Sequence, residues 1–167
     1  MPINGTPEQW FAWLTSTNQR HRHKAKLILG SLTPADVVDI QVLIHALTSE
    51  NDEVIFWATV ALGCLGAQAT QAIPMLISVT HHPAFGHRQA AIKSLSQIGP
   101  NEMAAKAAII AALQDASPFV RRQALEAMIG MQNIDADDLE CIRALQADPD
   151  SAVVAWIEIA LRNIGLQ

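Results

Sequence analysis

The sequence repeats every 33 residues, and this period constrains the fold more than any other feature. Four segments align at that spacing without a gap: 49–66, 82–99, 115–132 and 148–165. The pattern continues one period earlier, so five copies account for nearly all of the 167 residues. Such a period is typical of units that bury their apolar side chains by stacking on one another. A single domain over residues 1–167 is expected. The predicted repeats are approximately 1–33, 34–66, 67–99, 100–132 and 133–167.

Within each copy, small and apolar residues recur at the spacing i, i+3, i+4 and i+7, which places them on one side of an α-helix. In the third copy they are Ala91, Ser94, Leu95 and Ile98. A second apolar set lies between successive stripes and predicts another helix in each repeat. The ten predicted helices form five pairs, at roughly 6–16 and 19–31, 34–47 and 51–65, 70–80 and 84–98, 101–113 and 118–131, and 135–146 and 150–164.

The predicted helix ends rest on capping residues. Thr6-Pro7-Glu8-Gln9 has the pattern of a capping box with proline in the first turn, and Thr33-Pro34 is interpreted in the same way. Other residues follow the apolar stripe, where helices often end through a left-handed backbone conformation. These residues are Gly66, Gly99, Asn133 and Gly165.

The composition agrees with packed helices and limits the function. Half of the residues are apolar, only 5% are aromatic and there is no tyrosine. A net charge of −5 argues against general nucleic-acid binding, which needs a broad basic surface. The sequence has no uninterrupted run of 18 apolar residues, so no membrane span is expected. Cys64 and Cys141 lack CxxC spacing and are expected to be reduced thiols, so the cytoplasm is the expected location.

The block DASPFVRRQALEAM, residues 115–128, resembles the second half of a HEAT-like repeat of the short type also found in phycobilisome-lyase-related proteins. The resemblance implies an all-α fold, an α-solenoid in which five helix pairs wind into a right-handed superhelix. It also implies that Arg88 and Arg121 bond to aspartate and carbonyl groups of their own or the adjacent turn, with Asp115 as the partner of Arg121. The residues that match the repeat pattern best are Asp115, Val120, Arg121, Ala124, Ala127 and Met128.

The candidate binding residues lie opposite the apolar stripe. At 100° per residue, Phe56 and Val60 point away from the core side of their helix. The resemblance implies that this side lines the concave surface of the solenoid. Exposed apolar groups rimmed by charges are typical of protein-binding surfaces. An alternative is that Phe56 folds against the next repeat. The proposed partner-binding set is Phe56, Trp57, Val60, Lys93, Arg122 and Glu126.

Charge is uneven along the chain. Arg20, His23, Lys24 and Lys26 form a basic edge in the first repeat, whereas residues 134–150 are strongly acidic. Opposite charges at the two ends could support head-to-tail self-association. Polar terminal repeats that keep a solenoid soluble are the alternative.

Neither a metal site nor catalytic machinery is predicted. His81, His82 and His87 cluster around one predicted loop, and His21, His23 and His45 are a second set that the fold could bring together, but zinc usually takes a cysteine or carboxylate as well. His82 occupies the place of a capping aspartate. Hydrolase, nucleotide-binding and metalloprotease motifs are lacking, as are the His-Glu pairs of HEAT-like hydroxylases. No cofactor is expected.

These observations predict a non-catalytic protein–protein interaction module that binds through its concave face. It could serve as an adaptor, or as an inhibitor that masks another protein in the manner of an immunity protein. The resemblance alone suggests an alternative, namely a lyase or chaperone that acts on a tetrapyrrole-carrying protein.

Overall fold

The computed structural model describes residues 5–164, and this part of the chain folds into ten α-helices without a β-strand. The all-α prediction is therefore confirmed. Short 3-10 segments at Gly66–Ala72, Ala112–Gln114 and Leu145–Ala147 follow three of the helices. The helices are α1 (Pro7–Leu14), α2 (Gln19–Gly30), α3 (Ile40–Ala46), α4 (Asp52–Leu65), α5 (Ile73–Val79), α6 (Phe85–Ile98), α7 (Met103–Ala111), α8 (Pro118–Ile129), α9 (Ala136–Ala144) and α10 (Ser151–Asn163).

The helices form two layers. Each odd-numbered helix contacts the even-numbered helix that follows it, and α2, α4, α6, α8 and α10 contact one another in sequence. The even-numbered helices thus form one continuous layer along the molecule, covered on one side by the odd-numbered helices. This arrangement is an α-solenoid, as predicted. The right-handed twist and the repeat limits stay predictions.

The predicted apolar stripe forms the core between these layers. Ala58, Ala91 and Ala124 are fully buried at equivalent places in α4, α6 and α8. Because these side chains are small, neighbouring even-numbered helices approach closely. The stripe on the even-numbered helices therefore faces inward, and the opposite side of the same helices faces outward.

The most extensive contact between two helices is that of α4 with α6. The Ser94 hydroxyl donates a 2.8 Å hydrogen bond to the backbone carbonyl of Thr59, and both residues are buried. A Cβ atom at Gly63 would lie 2.6 Å from Ser94 Oγ and 3.0 Å from Ser94 Cα. Gly63 is therefore required for this approach, because any side chain would push α6 away.

Two predicted helix starts are wrong, and one predicted capping bond does not form. α3 begins at Ile40 and not at residue 34, because the Asp36 carboxylate accepts hydrogen bonds from the Thr33 amide and hydroxyl (2.7 and 2.8 Å) and closes a turn. Asp39 then caps α3 by accepting from the Gln41 amide. α5 begins at Ile73 instead of residue 70, after a 3-10 segment. Proline in the first turn of α1 is confirmed, but the Thr6 side chain makes no capping bond.

The helix ends also differ from prediction. Gly66 has a positive φ of 57°, as expected for a residue that needs glycine's freedom. Gly99 has φ −169°, which is extended backbone, so the left-handed prediction is wrong there. The left-handed prediction for Asn133 is also wrong, since no non-glycine residue among 5–164 has a positive φ. Gly165 lies outside the described residues.

One stretch, Asp52–Val79, is long and apolar enough to cross a membrane by length and composition, with a mean hydropathy of 1.5. Counting uninterrupted apolar residues did not detect it. Within the fold it is two helices, α4 and α5, separated by a 3-10 segment in which Ala69 departs from helical geometry. Leu62, Leu65 and Leu76 in this stretch are fully buried, so core packing accounts for its apolar character.

The α4–α6 contact can be tested with Gly63→Ala. We expect a loss of about 1–3 kcal/mol of unfolding free energy, because the new methyl group overlaps backbone as well as side-chain atoms of Ser94. Urea unfolding followed by circular dichroism measures the change. Gly86→Ala is the matched control: a Cβ there meets nothing within 4 Å, and alanine favours the helix, so its stability should stay equal or rise slightly. Equal losses in both variants would contradict the packing argument.

Candidate protein-binding groove

A groove with a volume of about 450 Å³ runs along the outward side of the even-numbered layer. Phe56, Val60 and Cys64 of α4 form one wall, and Gly86 and Lys93 of α6 form the other. Gly30 of α2 and Gln123 of α8 extend it toward the neighbouring helices. The groove thus lies on the side opposite the core stripe, where the sequence placed the candidate binding residues. The curvature of this surface stays a prediction.

Phe56 and Val60 are half-buried, a state between the two alternatives considered from the sequence. The Phe56 ring meets the edges of Trp57 and His87, with ring centroids 5.5 Å apart in each case. His87 belongs to α6, so Phe56 does fold against the next repeat while part of it lines the groove. Val60 lines the groove one turn further along α4.

The other predicted residues distribute around the groove. Lys93 is exposed and lines it. Trp57 contacts Phe56 but points toward α2, where a Cβ at Gly30 would lie 3.2 Å from its ring. Arg122 and Glu126 lie on α8 outside the groove lining. The structure therefore brings Phe56, Val60 and Lys93 into one cavity and leaves the other three at its border.

Sequence reasoning missed an exposed aromatic pair beside the groove. Phe85 and Phe119, at the starts of α6 and α8, stack with centroids 5.5 Å apart and an interplanar angle of 22°. They are 48% and 50% exposed. The Arg122 guanidinium lies 6.0 Å from the Phe119 ring centroid. Phe85 and Phe119 are 34 residues apart, one more than the period, so comparison by columns separated them.

The basic edge on α2 is partly engaged. Arg20, His23 and Lys24 are exposed, and the Lys24 ammonium lies 4.8 Å from the Trp13 ring centroid. Lys26 pairs with Glu53 of α4 at 2.5 Å. The acidic segment near α9 is also partly neutralised, because Lys106 pairs with Asp138 at 2.6 Å and with Asp135 at 3.3 Å. These contacts reduce the charge available for head-to-tail association.

Two arginine–aspartate pairs connect successive repeats, and we call them the Arg–Asp ladder. Arg88 donates two hydrogen bonds of 2.7 Å to the Asp115 carboxylate, and Arg121 donates two of 2.7 Å to Asp148. The predicted Arg121–Asp115 side-chain pair is wrong. Arg121 donates to the Asp115 backbone carbonyl at 2.8 Å, and its two other guanidinium donors bind the carboxylate of Asp148, one repeat later. The planar guanidinium can bind both groups because its donors point in different directions.

The aspartates of the ladder belong to a periodic set of turn acceptors. Asp115 accepts from the Ser117 amide, and Asp148 accepts from the Asp150 amide. Each turn before an even-numbered helix has such a bond to the amide two residues on. The acceptors are Ser16, Ser49, His82, Asp115 and Asp148.

The ladder shifts the pKa values of both carboxyl groups downward. Hydrogen bonds from Arg121 lower the pKa of Asp148, and they outweigh the opposing effect of burial. At Asp115, burial is the largest single effect and raises the pKa. Hydrogen bonds from Arg88 and the Ser117 amide together outweigh it, so the pKa lies below the ordinary aspartate value. Both aspartates therefore stay ionised at neutral pH, as the paired arginines require.

Comparison with known proteins settles the family. The sequence profile of HEAT repeats matches residues 40–107 and 73–162, together most of the chain. The chain belongs to the HEAT repeat family. Its fold is a HEAT/armadillo repeat scaffold suited to protein binding.

Solved structures of similar fold come from several sources. In the complex of CpcE and CpcF of phycocyanin lyase from Nostoc sp. PCC7120, a chain is 25% identical with TM-score 0.68, and the alignment covers 100% of this chain and 69% of that one. A designed armadillo repeat protein in complex with the peptide (KR)4 is 15% identical with TM-score 0.64, over 93% and 80% of the two chains. Human deoxyhypusine hydroxylase is 20% identical with TM-score 0.63, over 96% and 62%. No curated protein matches the sequence.

In this HEAT-repeat chain, one histidine cluster lies at the border of the groove. Side-chain atoms of Asp52, His82 and His87 all lie within 4.8 Å of one another, a set that could hold a metal ion. The hydrogen bonds assign the same tautomer to both histidines, with the proton on Nε2. His82 accepts the Ala84 amide at Nδ1, so its proton is on Nε2, facing Asp52 Oδ1 at 3.5 Å. A metal at Nε2 would require that proton to move, so the structure favours a hydrogen-bonded cluster.

His87 is oriented by the same network. Its Nε2 donates to the Asp52 backbone carbonyl at 2.8 Å, and its ring stacks on His82 with centroids 4.0 Å apart. The Phe56 and His87 rings make a T-shaped contact, with an interplanar angle of 76°. The histidine pair thus positions the aromatic wall of the groove.

Cys64 is the thiol that lines the groove. It is half-buried, and its Sγ lies 3.7 Å from the Gly30 carbonyl oxygen. Burial raises the pKa of the Cys64 thiol, with a smaller opposing effect from Lys93. A thiol with a raised pKa is a poor nucleophile at neutral pH.

The Arg–Asp ladder can be tested with Asp148→Asn. Removing the charge leaves the buried Arg121 guanidinium unmatched, so we expect a loss of about 3 kcal/mol of unfolding free energy at pH 7. Because the pKa of Asp148 is lowered by folding, its stabilising effect is complete above the ordinary aspartate pKa and is lost as pH falls through the folded value. The difference between wild type and variant should therefore narrow below about pH 4.

Urea unfolding at pH 7, 5 and 3 measures both effects. Glu53→Gln is the matched control, since it breaks a more exposed pair with Lys26 and should cost no more than about 0.5 kcal/mol. A difference for Asp148→Asn that stays constant down to pH 3 would contradict the assignment.

Proposed function

We propose that this HEAT-repeat chain is a non-catalytic protein-interaction module that binds its partner through the outward side of the even-numbered helices, as an adaptor or an inhibitor. We call this surface the groove face; it includes Leu27, Phe56, Val60, Lys93, Arg122 and Ile159. The observation that carries the proposal is the groove itself, an apolar cavity beside an exposed aromatic pair. Open apolar grooves of this kind are characteristic of surfaces that another protein covers.

Periodicity supports the same surface. Leu27, Val60, Lys93, Glu126 and Ile159 occupy one column at a spacing of 33 residues. Leu27 and Ile159 are 57% and 43% exposed, so apolar groups occur along the whole layer and not only in the groove. A linear array of this kind suits an elongated partner segment better than a small ligand. The designed armadillo neighbour, which is in complex with a peptide, is a precedent for such binding.

The non-catalytic part of the proposal rests on the reactive groups near the groove. The histidines there are hydrogen-bonded to backbone groups and stacked on each other, and the Cys64 thiol has a raised pKa. Neither arrangement activates a nucleophile. Free thiols at Cys64 and Cys141 suit a reducing compartment, so we also propose the cytoplasm as the location.

The proposal can be tested with binders selected from a displayed library of random 15-residue peptides. Gly86→Trp fills the groove from a position with open space around its Cβ, and Phe56→Ala with Val60→Ser removes one wall. Each should weaken the selected peptides by at least about tenfold, as loss of an interface hot spot does. Ala104→Trp, on an exposed position of the odd-numbered layer, is the matched control and should bind normally.

All variants are checked for folding by circular dichroism and thermal unfolding. If the two groove variants are folded and still bind the selected peptides as wild type does, the groove face is not the binding surface.

A lyase or chaperone that acts on a tetrapyrrole-carrying protein is the second candidate. It is favoured by the 25% identity over the whole chain to a protein of the phycocyanin lyase complex. This function predicts a red shift or intensity change in the absorbance of a free bilin on titration with the protein, and its loss in Gly86→Trp. An unchanged bilin spectrum at micromolar protein would exclude this candidate and leave the binding module in place.

A further inference from the structure

The two layers of the solenoid carry opposite charge. Nine of the eleven Lys and Arg residues lie on even-numbered helices, together with only four of the sixteen Asp and Glu residues. The even-numbered layer therefore has a formal charge of +5, and the odd-numbered helices with the connecting segments have −10. A net charge of −5 for the whole chain conceals this division.

Not all of these cations are available to a partner. Arg88 and Arg121 are bound in the Arg–Asp ladder, and Lys26 is matched by Glu53. On the groove face, Arg20, Lys93 and Arg122 form no ion pair within residues 5–164. They lie on α2, α6 and α8, so positive charge is spread along the face.

Besides Glu53, which Lys26 matches, one acidic group, Glu126, lies among them. Glu126 accepts a 3.2 Å hydrogen bond from the Gln123 side chain, a neutral group that leaves the carboxylate charge in place. Three cations against this one carboxylate still leave a positive net charge, so a partner cation at the groove would meet net repulsion. Charge complementarity therefore favours carboxylates on the partner.

The groove also offers hydrogen bonds of the kind that a peptide backbone needs. Gln89 and Gln97 line it, and their side chains make no hydrogen bond with other residues of the described chain. An amide side chain can donate to a carbonyl and accept from an amide at the same time. A helical partner has its own backbone groups paired, whereas an extended segment presents them, so the amides match an extended segment.

Apolar anchor sites complete the surface. Phe56 and Val60 form an apolar wall, and Phe85 and Phe119 form a stacked platform next to Arg122. An aromatic or aliphatic side chain of the partner could pack on either, while a neighbouring carboxylate meets Lys93 or Arg122. Alternating side chains of an extended peptide can serve both kinds of site.

We propose that the partner of the groove face is an extended acidic segment of another protein that carries aromatic or aliphatic anchor residues. This inference rests on the proposed function, and it adds the sign of the charge and the conformation of the partner. The designed armadillo neighbour is in complex with the basic peptide (KR)4. The charge of this groove face is the opposite of what such a peptide needs.

The composition of the selected peptides tests the inference. We expect binders with net negative charge and at least one aromatic or large aliphatic residue, and affinity that falls about tenfold or more between 50 and 500 mM NaCl. Lys93→Glu with Arg122→Glu should weaken these peptides at least about tenfold and improve binding of versions in which Asp and Glu are replaced by Lys. Arg143→Glu, an exposed charge reversal on the odd-numbered layer, is the matched control and should leave both affinities unchanged.

The outcomes distinguish failure of the acidic-segment inference from failure of the proposed binding groove. Binders that are neutral or basic but are lost in Gly86→Trp would overturn the acidic segment and leave the binding groove standing. Binders that are unaffected by Gly86→Trp would overturn both. Lys93→Gln with Arg122→Gln, which removes charge without adding repulsion, should give an intermediate loss.

A nucleic acid is the competing polyanion. We argue for a protein segment because three free cations are few and the face between them is apolar, whereas duplex binding depends on many phosphate contacts. Fluorescence anisotropy with a 20-base-pair duplex measures this alternative. Binding tighter than that of the selected peptides, with a steep dependence on salt, would overturn the proposal.

Discussion

The close stacking of the even-numbered helices is the contact on which the rest of the structure depends. A single helix pair has too little apolar surface to form a core, so each repeat is stable only against its neighbours. Alanines at equivalent positions of α4, α6 and α8 are fully buried in this stack, and Gly63 leaves room for Ser94 of α6. Once this side of the layer is committed to packing, the opposite side is left for solvent or for a partner.

The Arg–Asp ladder fixes the orientation of successive repeats in only part of the molecule. Its two pairs join α6 to the turn before α8, and α8 to the turn before α10. At the equivalent place in α4 there is Ile55, and His82 replaces the aspartate. The α4–α6 junction therefore relies on van der Waals packing, the Ser94–Thr59 bond and the histidine pair. The groove lies at this junction, where no buried ion pair stiffens the contact between helices.

Periodicity predicted the helix pairs, the buried stripe and the outward side of each helix because all three follow from one repeating pattern. It failed where single residues act locally. The carboxylate of Asp36 closes a turn that delays α3, and Gly99 ends α6 in an extended conformation. Neither effect has a repeating signature. The same limit hid the Phe85–Phe119 pair. The two residues are 34 positions apart and so fall in different columns of a 33-residue alignment, although both lie at helix starts that are adjacent in the fold.

The ladder also shows why a correct motif can give a wrong partner. Both arginines were identified at the front of their helices, but Asp115 is nearer in sequence to Arg121 than Asp148 is. In a solenoid, the turn of the next repeat lies beside the front of each even-numbered helix, so a side chain as long as arginine reaches its own turn with one nitrogen and the next turn with the other two. The Arg121 guanidinium binds the Asp148 carboxylate because two of its donors, which lie in one plane, can each reach a carboxylate oxygen. Sequence distance is therefore a poor guide to pairing in repeat proteins, and the same spacing of 27 residues relates Arg88 to Asp115.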